Sequence, residues 1–358
     1  MGATITMRIL YSFNKRGAEA EYWSREIGGA SNDRHVFIPF NHDGFVDLRL
    51  YGRAQLLDNI YYDRHPGLVR MYADFEAALT QHRIDAVIVD NQCPYHPDYL
   101  RKIAVYKVMR TSDGPICAYD RDLAYVHAYD HVLYHSPAYS RDMEMAEKLL
   151  YCGAKATDFW PFALFDAAFD TTKTEETLFA GARDIDVIFI GSPHLGKMPV
   201  FAKILKALRG RLVMIGFPWK YTAYFNLKYG LPGYVQRPIK PGPPFVQRYQ
   251  RTKIGINVHN RGDYTVGNYR MFDLPANGVM QISDGGEYLD QFFQVGEEIE
   301  RYTSIEDLVE KVNWYLDHDE ERNRIALAGY RRVLRDYRIG IMMQRAGDLI
   351  ERGMRRRS

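Results

Sequence analysis

The residues whose types could do chemistry are densest in the stretch 253–290, KIGINVHNRGDYTVGNYRMFDLPANGVMQISDGGEYLD. An apolar run, Lys253–Val258, leads into a polar loop; a helix is expected over Asn268–Asn277, and a second apolar run, Gly278–Ile282, follows. Strand, loop, helix and strand make one α/β unit, and in such units ligands collect beyond the carboxyl ends of the strands. The loop carries Arg261, Asp263, Thr265, Gly267 and Asn268, with Arg270 and Asp273 just beyond. Two readings fit this spacing. In one, Asn268 caps the helix and Arg270 and Asp273 form a solvated i,i+3 pair. In the other, the N–H groups of Gly267 and Asn268 and the helix start face the oxygens of a nucleoside diphosphate, Arg270 offsets its charge, and Asp273 accepts hydrogen bonds from ribose hydroxyls.

A second strand–loop–helix, DIDVIFIGSPHLGKMPVFAKILKAL, repeats the plan with Gly191, Ser192 and Lys197 in its loop. Lys197 is placed to meet a phosphate oxygen as a flexible point charge, or to sit in solvent at a helix start. In the first half of the chain, polar residues follow three apolar runs: Asp90, Asn91, Gln92 and His96; Asp120, Arg121 and Asp122; His135 and Ser136. All are expected to open toward one cleft. Asn91, Asp120 and His135 are the candidates to hold a substrate hydroxyl or take its proton. Asp120-Arg121-Asp122 reads equally as a helix cap with a local ion pair, and His96 and His135, each taken singly, as structural histidines. No spacing of His and Cys suggests a metal site, and none is expected.

The elements that must position these groups are legible as alternation. Runs at 7–12, 35–40, 84–89, 106–110, 115–120 and 131–136, separated by amphipathic stretches, imply a parallel sheet covered on both faces, with Ile84–Val89, Ile116–Tyr119 and Val132–Tyr134 side by side. At 358 residues two domains are expected, and 46% hydrophobic content supports sizeable cores. The boundaries are read as 1–165 for a first Rossmann-like domain, 166–183 for a linker in which a polar TTKTEET run breaks the pattern, 184–340 for a second one that would hold the diphosphate, and 341–358 for a last helix and basic tail. Trp160, Phe162 and Phe165 are expected to pack at the boundary. A balance of 47 basic against 45 acidic residues gives no bulk drive toward nucleic acid. Three scattered cysteines argue against a disulfide framework and for a reducing, cytoplasmic setting. The start MGATITMRILYSF reads as a first strand rather than a signal peptide, and no apolar run is long enough to span a membrane. The frayed end Arg355-Arg356-Arg357 offers at most a weak peripheral membrane contact.

The run N-x-R-x-F-D at Asn268–Asp273, the A-N-G-V at Ala276–Val279, Asp284 and the tail YTSIEDLVEKVNWYLDHDEERNRIALAGYRRVLRDY resemble the C-terminal half of the CgeB-like glycosyltransferases, a branch of the GT-B enzymes, over residues 184–345. That resemblance implies an α/β GT-B fold, two Rossmann-like domains facing across a cleft. It also implies transfer of a sugar from a nucleotide-diphosphate donor, UDP favoured, to a hydroxyl of a glycan, lipid-linked or small-molecule acceptor, with retention and without metal or other cofactor. Two departures stand out: Asp273 where relatives carry Glu, and Thr265 where the related E-x7-E motif has its first acid. They keep open the alternative of a non-catalytic protein of this fold that binds or assembles nucleotide-sugars or glycans.

Overall fold

The computed structural model describes residues 7–90, 93–111, 122–191, 197–216, 227–230, 235–236, 239, 242–259 and 266–357. The chain divides into two compact units, Met1–Phe162 with Ile339–Ser358, and Ala163–Arg338.

In the first unit, β1 (Met7–Phe13), β2 (His35–Asn41), β3 (Ala86–Asp90), β4 (Tyr106–Arg110), β5 (His131–Tyr134) and β8 (Thr157–Phe159) form a parallel sheet in the order β2-β1-β3-β4-β5-β8. A small antiparallel pair, β6 (Ala138–Ser140) and β7 (Met143–Glu144), stands apart from it. Parallel neighbours require crossovers, so helices cover the faces and the central strands β3 and β4 are buried at every position. The strand between β3 and β5 is Tyr106–Arg110, which corrects the expectation that Ile116–Tyr119 lies there. Residues 112–121 lie outside the described part. The two charges in β4 are accommodated by partners. Lys107 Nζ donates to Ile103 O at 3.1 Å and pairs with Asp130 at 3.3 Å. Arg110 Nη1 donates to Tyr11 Oη at 2.5 Å and to Asp90 Oδ1 at 3.2 Å, under the Trp160 ring. Burial of a charged strand residue is tolerated when pairing replaces its water.

The helix Pro66–Gln81 shows why these stretches become helices. Pro66 opens it, His65 accepts from Gly67 N, and Leu68, Met71, Tyr72 and Phe75 recur on the buried stripe. Each such side chain contributes about 1.5–3 kcal/mol of burial. The last helix, Ile339–Arg357, crosses the amino ends of three strands of this unit. Side chains at Gly347 or Gly353 would meet His35 at the start of β2, or Tyr106 and His131 at the starts of β4 and β5. That helix runs through Arg357, so the basic end continues the helix instead of leaving it, with Arg355 paired to Glu351. Trp160 Nε1 donates to Met342 O at 2.8 Å, and Phe162 packs on His135; both lie within the first unit.

In the second unit β9 (Ile185–Ile190), β10 (Leu212–Ile215), β11 (Val235–Gln236), β12 (Thr252–Asn257), β13 (Met280–Ser283) and β14 (Glu300–Arg301) form another parallel sheet, ordered β11-β10-β9-β12-β13-β14. Phe165 packs beside Tyr269 within this unit. The helix Ile305–Asp317 starts on the Ser304 cap that its S-x-x-D sequence predicts. Asp307 N donates to Ser304 Oγ at 3.1 Å, Asp307 Oδ2 accepts from Thr303 N at 2.8 Å, and Leu308, Val312 and Tyr315 are buried. Among the described residues no helix is long and apolar enough to cross a membrane.

Candidate functional site

The carboxyl ends of β9, β12 and β13 lie side by side, and the short helix Arg270–Ala276 returns over β12. Gly255 permits that return, because a Cβ there would overlap the Leu274 side chain. Pro275 lacks the N–H that would bond the carbonyl of Met271; Gln281 Nε2, reaching across from β13, donates to that carbonyl instead at 3.3 Å. Asn277 Nδ2 ties off the end by donating to Asp273 O and Ala168 O, each at 2.8 Å. The helix begins at Arg270, two residues later than expected, so Gly267 and Asn268 precede it. With only seven residues it contributes a small dipole, and the Arg270 side chain is the main positive charge.

Arg270 is held by Nε donating to Ile190 O at 2.6 Å and Nη1 donating to Asn257 Oδ1 at 2.7 Å, with its guanidinium over the Phe189 ring. Asn257, fully buried, accepts from Asn268 Nδ2 at 2.9 Å, and Asn268 Oδ1 accepts from Met271 N at 3.1 Å. Asn268 therefore braces the arginine as well as the helix start. Gly191 is where Arg270 needs it: a Cβ there would overlap the Nη2 nitrogen. Gly216, at φ +124°, lies against the Gly191 carbonyl, closing the backbone around this point. Among the described residues, Nη2 of Arg270 donates to no protein atom, which leaves one edge of a fixed cation available to a ligand. Lys197 Nζ donates to Val258 O at 3.1 Å; burial, with Arg270 adding to it, lowers its pKa to about 8.

Asp273 is 8% exposed and, among the described residues, its carboxylate makes no hydrogen bond or ion pair. Burial pushes it up to about 8, with Arg270 only partly opposing. A buried carboxyl without partners is an anomaly that a donating ligand resolves. Sequence reasoning missed His259 and the use of Asp284. His259 is buried; Asp284 accepts from its backbone N–H at 2.9 Å and lies 2.6 Å from its Nδ1. The signal was available in the strand register, which pairs Asn257 with Ser283 and so brings the residues after β12 beside those after β13.

Of the candidates, the structure thus brings Gly191, Lys197, Asn268, Arg270 and Asp273 to one sheet edge, with Gly267 adjoining; Ser192 lies outside the described residues. In the first unit Asn91 and Asp120 also lie outside them. Asp90, His135 and Ser136 do not open outward as expected, for all three are buried. Tyr11 donates to Asp90 at 2.9 Å. The His135 ring packs on Phe162 with Nδ1 at 2.8 Å from Thr111 O; burial and the Arg110 charge lower its pKa to about 3, so it is neutral. His96 stacks on Tyr61 at 3.9 Å and bonds Asp58 at 3.0 Å. Among the described residues, His35, Asp348 and Glu351 stand close enough to share an ion, but Arg34 already pairs with both carboxylates.

The chain, with its two six-stranded parallel sheets, is similar in fold to solved structures. The chain superposes on the Anabaena protein HepE in complex with UDP and glucose with TM-score 0.59 at 11% identity, covering 96% of this chain and 99% of that one. For sucrose-phosphate synthase from Thermosynechococcus elongatus the values are 0.63 and 11%, covering 98% and 100%. For an alpha-glucosyltransferase in complex with UDP-glucose and DNA containing an abasic site they are 0.64 and 12%, covering 97% and 100%. The fold is GT-B. Within this GT-B chain residues 199–349 match the family described as Glycosyl transferase-like, a stretch that includes Arg270, Asp273, His259 and Asp284. No curated protein matches the GT-B chain by sequence.

Proposed function

We propose that the protein transfers a sugar from a nucleoside diphosphate donor to an acceptor hydroxyl. The observation that carries this reading is the pairing of a braced cation with a buried acid on one short helix: Arg270 and Asp273, of which, among the described residues, neither Nη2 nor the carboxylate has a hydrogen-bond partner. The diphosphate lies against Arg270 and Lys197, and ribose hydroxyls donate to Asp273. As the glycosidic bond to the leaving diphosphate breaks, negative charge grows on its oxygen, and two fixed cations stabilise it without reorganising. UDP is the favoured carrier, in keeping with the UDP and UDP-glucose named in the structures to which the chain is similar. Membership of the CgeB-like branch, a hexosyl donor, retention and metal independence belong to the same proposal. On the acceptor side Asp120 and Asn91 remain the candidates to hold the hydroxyl; His135, neutral and buried, suits positioning more than proton transfer.

A thermal-shift series with UDP, GDP, dTDP, ADP and CMP, with and without divalent metal, tests the donor reading, since a ligand of the folded state alone raises the melting temperature by mass action. The expected result is a rise with UDP that needs no metal, followed by slow release of sugar from a UDP-sugar. No rise with any nucleotide at millimolar concentration defeats it. A nucleotide-sugar-binding protein without turnover is the second reading, favoured by Thr265 standing where the related motif carries an acid. Binding without any release of sugar would select it.

A further inference from the structure

One buried histidine beside the donor site is not used by the reading above, on which this inference rests. His259 is 4% exposed, and Asp284 holds it twice, accepting from the backbone N–H at 2.9 Å and facing Nδ1 at 2.6 Å. In the neutral ring a carboxylate at that distance keeps the hydrogen on Nδ1, and Nε2 then presents a lone pair directed away from Asp284. Nε2 is buried and has no hydrogen-bond partner among the described residues. Its neighbours in sequence both serve the cations. The Val258 carbonyl accepts from Lys197, and Asn257 holds Arg270. The lone pair therefore stands in the same small region as the two charges assigned to the diphosphate.

We propose that His259 Nε2 accepts a hydrogen bond from a hydroxyl of the transferred sugar, and that Asp284 is the positioning residue that fixes its tautomer. Chemistry selects this partner. Phosphate oxygens at neutral pH carry no hydrogen to donate and are repelled by a lone pair, and the ribose hydroxyls have Asp273. The remaining O–H donors of a nucleotide-sugar are those of the sugar itself. A site built to accept from a hydroxyl discriminates strongly against a ligand that lacks it, because the buried acceptor is then left unpaired.

The experiment is calorimetric titration of the full-length protein and of H259N, H259Q and D284N with UDP and with the tightest-binding of UDP-glucose, UDP-galactose and UDP-N-acetylglucosamine. H259N is expected to weaken the UDP-sugar about tenfold, the loss of one hydrogen bond to a buried group, and to change UDP by less than twofold. H259Q, whose amide oxygen reaches close to the place of Nε2, should recover part of that loss, and D284N should behave as H259N does. An equal loss for UDP and UDP-sugar marks a structural histidine or a contact to the nucleoside, and overturns the proposal. So does an unchanged UDP-sugar affinity in folded H259N. Should the unsubstituted protein bind no nucleotide at all, the donor reading falls and takes this inference with it, whereas UDP binding with an equal loss removes this inference alone.

Discussion

Replacing Asp273 with asparagine keeps the shape of the side chain and removes its capacity to ionise. In the folded protein the carboxyl holds its proton up to about pH 8, against an ordinary value near 3.8, because burial disfavours the anion. At pH 7 the unfolded chain has released this proton and the folded chain has not, so the folded state binds more protons and its stability falls as pH rises between these values. From 3.8 to pH 7, at about 1.4 kcal/mol per pH unit, the cost reaches about 4 kcal/mol. Half of that, about 2 kcal/mol, still moves the melting temperature of a unit this size by about 4–8 °C. Asp273→Asn should therefore melt higher than the parent protein at pH 7 to 8, with the gap closing toward pH 4. The same substitution should weaken UDP binding about tenfold, since one amide oxygen replaces two carboxylate acceptors. Because ribose hydroxyls favour the ionised acid, UDP binding to the parent protein should release close to one proton at pH 7, read by calorimetry in buffers of differing ionisation enthalpy. A variant no more stable than its parent at pH 8, or a gap independent of pH, would refute the claim that Asp273 is a buried acid awaiting a partner.

Gly191→Ala should displace Arg270 and not unfold the protein, since the overlapped atom is the far end of a side chain: nucleotide affinity falls at least tenfold in titration while the melting temperature moves by a few degrees. Arg270→Lys loses the bonds to Ile190 and Asn257 together and should lower turnover of a UDP-sugar about 100-fold or more, measured as product formed per minute. Lys197 is already low at about 8, so diphosphate binding should weaken as pH rises through that value, and Lys197→Met should flatten this alkaline limb. In the first unit, Arg110→Met strips the cation from the buried Asp90 and should cost about 3–5 kcal/mol in urea unfolding, with Asp90→Asn in the same chain restoring much of it.

The alternation of apolar runs and amphipathic stretches was legible, as was the echo of strand, loop and helix at Ile185 and Lys253, because periodicity is a local property. Strand order was not. Tyr106–Arg110 carries a lysine and an arginine, and partners distant in sequence, Asp130 for the one and Asp90 and Tyr11 for the other, help to account for their burial. The candidate site was half legible. Arg270 and Asp273 stand out by type and spacing, but the bracing role of Asn257 and the pairing of His259 with Asp284 depend on two strands meeting in register across more than twenty residues. His135 failed to open outward for a similar reason, since Phe162 covers it from a later segment.

The return of the last helix to the first unit sets an order on biosynthesis. Residues 163–338 form an uninterrupted unit and are complete as soon as they leave the ribosome, whereas the first unit, although made first, waits for residues 339–357 before the amino ends of β2, β4 and β5 are covered. During that interval His35, Tyr106 and His131 lack the cover of the last helix, so the earlier-made unit is the later one to bury its surface.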